Sequence, residues 1–301
     1  MRNNFFRTTI EPLLSLPILE LIEYLKSVGL LKDVVFCSNC NIPMLLRQYT
    51  RNKNEYALRC MTRTCINYKY KSIRNESIFE RYKFSLATGI KLIWKWLFNT
   101  TAKSIKSAIY VDSKVLIDFY DDLRRCCKYY FECNPAKLGG SGVVCQIDES
   151  NFRCKPKYHR GRYPENEIWV FWNCRYIIFT FSNFVRIIND RSANTLLPII
   201  NEVCLPGTVI YSDQWRSYNR ISQLGFVHST VNHSLRFIDP ETGAHTQAIE
   251  SYWAKIKNRI KQRKGVLGEK LDLYLVEWMW KDNIYNENWN NVMELIRRYS
   301  R

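Results

Sequence analysis

Two short apolar runs in this chain end in a carboxylate, and that pattern constrains the fold more than any other feature. VVCQID at 143–148 and TVIYSD at 208–213 each read as a buried strand with its acid, Asp148 or Asp213, at the C-terminal end. A third acid, Glu250, follows Thr246, a residue with N-cap chemistry, and opens the helix that runs through WAKIKNRIKQ. Carboxylates on strand, strand and helix suit a two-metal phosphoryl-transfer site. Mg²⁺ is a hard ion that seeks oxygen ligands. Two such ions about 3.5–4 Å apart activate a water or a 3′-hydroxyl on one side of a phosphodiester and stabilise the leaving oxygen on the other.

Around these acids stand five ordered motifs: IDE at 147–149, DRSANTLLPII at 190–200, YSDQWRSY at 211–218, VNHS at 231–234 and HTQAIESYW at 245–253. With them the chain resembles a DDE transposase of the Merlin superfamily and its bacterial insertion-sequence relatives, strongly over 140–265 and more loosely upstream. The resemblance implies a ribonuclease H-like mixed-sheet catalytic domain. It also implies that Asp148, Asp213 and Glu250 are a catalytic triad holding Mg²⁺ or Mn²⁺. The chain departs from the family in one place: WVFWNCRYIIFTFSNFVRIIND lacks the glycines of the usual hairpin.

Charge points the same way. Forty-five Lys and Arg against 28 Asp and Glu give a net charge of +17, and a polyanion partner, double-stranded DNA under the resemblance, is the simplest reason for such a field. The alternative is a merely basic or ribosomal-type protein. Pro17 and Glu20 break LLSLPILELI, and no run of 18 apolar residues is present, so neither a membrane span nor a signal peptide is expected. The predicted location is intracellular: the nucleus in a eukaryotic host, otherwise the cytoplasm.

Eleven cysteines, an odd number in a long chain, favour reduced thiols or metal ligands over a disulfide scaffold. Cys37 and Cys40, then Cys60 and Cys65, flank MLLRQYTRNKNEYALRC, whose alternation and RNKN turn read as a hairpin. Two knuckles joined by a hairpin make a zinc ribbon at 34–75, with four thiolates around Zn²⁺. Buried free cysteines are the alternative. Basic residues and tyrosines interleave across the same module, which suits contact with phosphates and bases.

Before the ribbon, 1–33 reads as a helical segment. After it, 80–135 reads as three helices, with apolar positions 86, 90, 93, 94 and 97 on one face of the first and Ser113 capping the last. A short helix, a tight turn and a longer helix describe a helix-turn-helix with Ser113, Lys114, Arg124 and Arg125 toward nucleic acid, or a linker bundle that touches no DNA. LGGSG at 138–142 marks the predicted boundary before the 140–265 catalytic domain, and 266–301 reads as a C-terminal helical extension. Within the catalytic domain the expected order is strands at 143–152, 166–173 and 176–182, a helix at 192–203, a strand at 208–212, a helix near 216–224, a strand at 226–231 and a helix at 246–263. The fold class is multidomain α/β with a mixed sheet.

His245, His233 and Asn232 are accessory candidates beside the acids, each with a purely structural alternative. Glu149 follows Asp148 on a strand and is expected on the opposite face. Trp253 and Lys257 share a helical face with Glu250. Lys257 and Lys261, with Lys255, Arg259, Arg263 and Lys264, form a basic surface for DNA. The combined reading is a cut-and-paste transposase, a homodimer or higher oligomer on DNA. A derived DNA-binding protein without activity, or a ribonuclease H-like nuclease, is the alternative.

Overall fold

The computed structural model describes residues 5–66, 70–152, 167–177, 180–232, 238–285 and 288–299. A π-helical turn, Phe6–Ile10, leads into α1 (Glu11–Ser15) and α2 (Ile18–Ser27), where Leu21, Ile22 and Leu25 recur at helical spacing and are buried. Then β1 (Leu45–Gln48), β2 (Tyr56–Arg59) and β3 (Tyr70–Lys71) form an antiparallel sheet in that order. This sheet carries the hairpin expected between the cysteine pairs.

The three expected helices follow as α3 (Leu86–Leu97), α4 (Ala102–Lys106) and α5 (Ser113–Cys133). Ser85 and Thr101 cap α3 and α4 by accepting from the backbone N–H of Thr88 and Ser104. Gly89 admits the Phe79 ring, since a Cβ there would stand 2.6 Å from Phe79 Cε1. Two sequence expectations on α5 need correction. Asp112, not Ser113, supplies the cap, its Oδ1 accepting from Lys114 N at 2.8 Å. Arg124, expected to face DNA, is 1% exposed and donates to Asp121 Oδ1 at 2.6 Å, because it lies on the stripe of Phe119, Leu123 and Cys127 that packs inward.

The second set of elements comprises β4 (Leu138–Gly139), β5 (Val144–Asn151), β6 (Trp169–Ile177), β7 (Thr180–Ile188), α6 (Ala193–Val203), β8 (Cys204–Leu205), β9 (Val209–Asp213), β10 (Val227–Val231), α7 (Gln247–Gln262) and α8 (Leu271–Trp280). The expected helix near 216–224 is two 3₁₀ turns, Arg216–Tyr218 and Ile221–Leu224. The main sheet has the order β10-β9-β5-β6-β7; β5, β6 and β7 are antiparallel neighbours, while β9 runs parallel to both β5 and β10. Helix α7 covers one face: Trp172 on β6 meets Tyr252 and Trp253 at ring separations of 4.2 and 5.5 Å.

LGGSG is not a linker. Leu138 and Gly139 pair with β8, and Gly139 lies against Thr208 so closely that a Cβ would sit 2.1 Å from its hydroxyl. The chain divides instead into Met1–Tyr130 with Glu287–Arg301, and Phe131–Asn286. The predicted C-terminal extension is therefore split: α8 belongs with the main sheet, and α9 (Trp289–Tyr299) returns to the N-terminal unit, where Trp289 Nε1 donates to the Tyr24 hydroxyl at 3.1 Å. No helix among the described residues is long and apolar enough to cross a membrane.

Asp282, just past α8, fastens α7. It accepts from the Tyr252 hydroxyl, from Lys255 at 2.9 Å and from Arg259 at 3.3 Å. Replacing Asp282 with Ala strands three donors in a half-buried site and is expected to cost about 3 kcal/mol in urea unfolding. Glu202→Ala removes the exposed partner of Arg186 and is expected to cost under about 1 kcal/mol. Equal losses would contradict this assignment.

Candidate active site and metal centre

Register brings the first two acids together. β5 pairs with β9 at Val144↔Val209, Cys145↔Ile210 and Gln146↔Tyr211. Two residues further along each strand stand Asp148 and Asp213, level with one another and on the same sheet face by the two-residue period. β5 itself continues to Asn151 on its β6 side, so Asp148 sits within a strand rather than at its C-terminal end as the sequence suggests.

Helix α7 is tied to that face by two side chains of β5. Gln146, fully buried, accepts from Ile249 N at 3.1 Å, and its Nε2 lies 3.2 Å from His245 Nδ1. A backbone N–H can only donate, so the amide oxygen faces Ile249 and the amide nitrogen faces Nδ1. Asp148 Oδ2 accepts from Trp253 Nε1 at 2.8 Å, and its Oδ1 accepts from Glu149 N. Glu250 lies one residue after Ile249 and three before Trp253, so it shares the helical side of Trp253. It is exposed, and Thr246 Oγ1 donates to its Oε1 at 3.2 Å. Thr246 thus holds the N-cap position without capping through its side chain.

Burial raises Asp148 to about 6, with the nearby Asp213 charge adding to the effect. Glu149 lies on the opposite face, as alternation predicts. It is buried against Arg191 at 2.9 Å and accepts from the Tyr218 hydroxyl. Burial raises it to about 7, opposed by the Arg191 charge.

Among the described residues, the groups of three or more ligand side chains whose donor atoms all lie within 4.8 Å of one another comprise Cys37, Cys40, Cys60 and Cys65. The three acids are not gathered that tightly. Cys37 and Cys65 sulfurs are 3.7 Å apart, and those of Cys40 and Cys60 3.5 Å apart. A tetrahedron with arms of about 2.3 Å has edges of about 3.8 Å, so these thiols could hold one zinc ion. Backbone N–H groups of Cys40 and Asn39 pull the Cys37 thiol down to about 6, toward the thiolate a metal needs, while burial and the Cys60 sulfur push Cys40 up to about 11.

Of the other sequence candidates, Lys114, Lys257 and Lys261 are exposed, while Lys255 and Arg259 are committed to Asp282 and Arg263 approaches Glu277 at 4.0 Å. Arg125 pairs with Asp122 at 2.7 Å. Asn232 and His245 are half-buried, and His233 lies outside the described residues. Sequence reasoning missed Gln146 and Arg191. The signal for Gln146 was a lone amide in an apolar strand two residues before Asp148.

The model of the ISXO2-like transposase domain matches residues 151–283, a span that includes Asp213 and Glu250 and begins just after Asp148. A protein of Haemophilus influenzae (strain ATCC 51907 / DSM 11121 / KW20 / Rd), described as an uncharacterized transposase-like protein, is 36% identical over 95 residues, 32% of this chain and 75% of that protein. A solved chain in the simian T-cell lymphotropic virus intasome in complex with PP2A regulatory subunit B56 gamma is similar at 15% identity and a TM-score of 0.31, over 50% of this chain and 53% of that one. This chain thus spans about half the length of that solved chain.

Two outcomes follow. Cys60→Ser should purify with well under one equivalent of zinc by elemental analysis, against one for the parent; parent protein without zinc would contradict the assignment. Asp148 is neutral in both folded and unfolded states below its ordinary value of 3.8, so its burial penalty is absent there; the penalty grows with pH and is complete above about 6. Asp148→Asn should therefore stabilise the protein without added divalent metal by about 1–2 kcal/mol at pH 8 and by almost nothing at pH 4. Thermal melts at both values check this, and a gain at pH 4 equal to that at pH 8 would refute it.

Proposed function

The chain belongs to the ISXO2-like transposase family, and from that premise we propose that it cuts and joins DNA strands by metal-dependent phosphoryl transfer at transposon ends, with Asp148, Asp213 and Glu250 as its catalytic acids. One observation carries the proposal: the β5–β9 register sets Asp148 level with Asp213 on the face where Gln146 and Trp253 anchor the first turns of the helix bearing Glu250.

The donor set fits a hard divalent ion. Two carboxylates are held on one face, and the charge of Asp213 already raises the proton affinity of Asp148, a crowding that a cation relieves. The chemistry a Mg²⁺ or Mn²⁺ pair supplies when bound is activation of the attacking oxygen and stabilisation of the leaving one. The protein's own part is to hold the acids and to exclude water with Trp172 and Trp253. A hydrolysed phosphodiester leaves a 3′-hydroxyl, which then attacks target DNA in line, so no covalent protein intermediate is required.

The rest of the chain supports binding. Acids on the first and fourth strands of a mixed sheet and on a following helix agree with a ribonuclease H-like reading and with a place in the Merlin superfamily. The cysteine module would be a zinc ribbon holding Zn²⁺. Helices α3–α5 would be a helix-turn-helix that presents Lys114 to double-stranded DNA, while Lys257 and Lys261 on α7 would contact phosphates. Assembly as a homodimer or larger oligomer on DNA belongs to the same proposal.

The test is cleavage of a duplex carrying the sequences that flank the gene's own genomic copy, with Mg²⁺ or Mn²⁺. The parent should nick it, and Asp148→Ala, Asp213→Ala and Glu250→Ala should each abolish nicking while binding is retained. Undiminished cleavage by any one variant removes that residue from the site.

A further inference from the structure

The turn that follows Asp213 carries a groove that the candidate acids do not use. It encloses about 520 Å³ and is lined by Arg191, Ser192, Trp215, Arg216, Ser217 and Arg220, with Ala193. A second groove of about 310 Å³ shares Ala193 and Arg220 with it and runs on along α6 to Gln223. The two are continuous through Arg220, so the path suits a strand better than a single small ion. No carboxylate is among the described residues that line either one.

Hydrogen bonds tie the groove's wall to Asp213 and to the Arg191 backbone. Trp215 N donates to Asp213 Oδ1 at 3.0 Å, while Trp215 Nε1 and Ser217 Oγ both donate to the Arg191 carbonyl, at 3.1 and 2.7 Å. The Arg191 guanidinium lies 4.6 Å from the Trp169 ring centre and 4.2 Å from that of Trp215, and Glu149 neutralises it. Arg191 is therefore a structural cation.

Arg216 and Arg220 are different. Both are exposed, and neither has an ion pair among the described residues. Arg216 is three residues from Asp213, and three residues of chain reach at most about 11 Å. Arg216 lies 5.8 Å from the Trp215 ring centre, and two guanidinium groups without an ion pair among the described residues, on the turn that follows Asp213, match phosphate oxygens in shape and charge.

We propose that this groove is a subsite for the DNA backbone, in which Arg216 and Arg220 each hold a phosphate of a DNA strand that passes the turn after Asp213. The identity of the anion rests on the proposed function; the groove and its charge do not.

The experiment measures binding of the full chain to a fluorescein-labelled duplex of random sequence by anisotropy at several salt concentrations, without added Mg²⁺. Arg216→Ala/Arg220→Ala should flatten the slope of log affinity against log salt by about 1.8, since each phosphate contact contributes about 0.9. Arg216→Lys/Arg220→Lys should keep the parent slope, because point charges still release counterions. Arg186→Ala, which removes a cation already paired with Glu202, should also keep it. An unchanged slope in the Ala pair overturns the proposal; so does an equal fall in Arg186→Ala, which would indicate only a general loss of charge, or in the Lys pair, which would indicate a loss of structure. Because the readout is binding, a chain that shows the expected slopes but never nicks DNA refutes the catalytic reading and leaves the groove standing. A chain that nicks normally with unchanged slopes does the reverse.

Discussion

The parallel pairing of Val144, Cys145 and Gln146 with Val209, Ile210 and Tyr211 is the constraint on which the candidate site depends. A slip of one residue would send Asp148 or Asp213 to the other face of the sheet. Held as it is, the register places Gln146 and Asp148 on one side, and both use that position to grip α7, through Ile249 and Trp253. The helix bearing Glu250 is thus located by the strand bearing Asp148. Asp282, just past α8, holds the same helix at Lys255 and Arg259.

Electrostatics sets a cost on that arrangement. Adjacent acids on β5 face opposite ways and meet opposite fates. Glu149 finds Arg191 and Tyr218 and becomes structural. Asp148 finds donors too weak to offset its burial and the charge of Asp213. The strain is local, and the aromatic cluster of Trp172, Tyr252 and Trp253 beneath it carries the packing. On the other face, Arg191 serves as the hub from which the post-Asp213 turn, its tryptophan and its two outward arginines take their shape.

Much of this was legible in sequence where a period or a spacing fixes geometry. The strands bearing Asp148 and Asp213 show as apolar runs, although β5 runs on past Asp148 to Asn151, and the cysteine pairs show as two knuckles about a hairpin. The face opposite Asp148 follows for Glu149 from alternation alone. What escaped depends on contacts far along the chain. Arg124 looks like a surface cation until Asp121 and the inward stripe of α5 claim it. Asp112 outcompetes Ser113 as a cap because its carboxylate reaches the N–H of Lys114. LGGSG has the composition of a linker, yet Gly139 is needed for close approach to Thr208. The return of α9 to the N-terminal unit is set by pairing of Trp289 with Tyr24, which no local pattern announces.

The most direct test is to locate the metal. Crystals grown with Mn²⁺ should give anomalous scattering between the carboxylates of Asp148 and Asp213 on the face covered by α7, with Glu250 turned toward it, and that signal should vanish in Asp213→Asn. Manganese bound elsewhere only, or bound equally well in the Asp213→Asn protein, would contradict the claim that these acids form the catalytic centre.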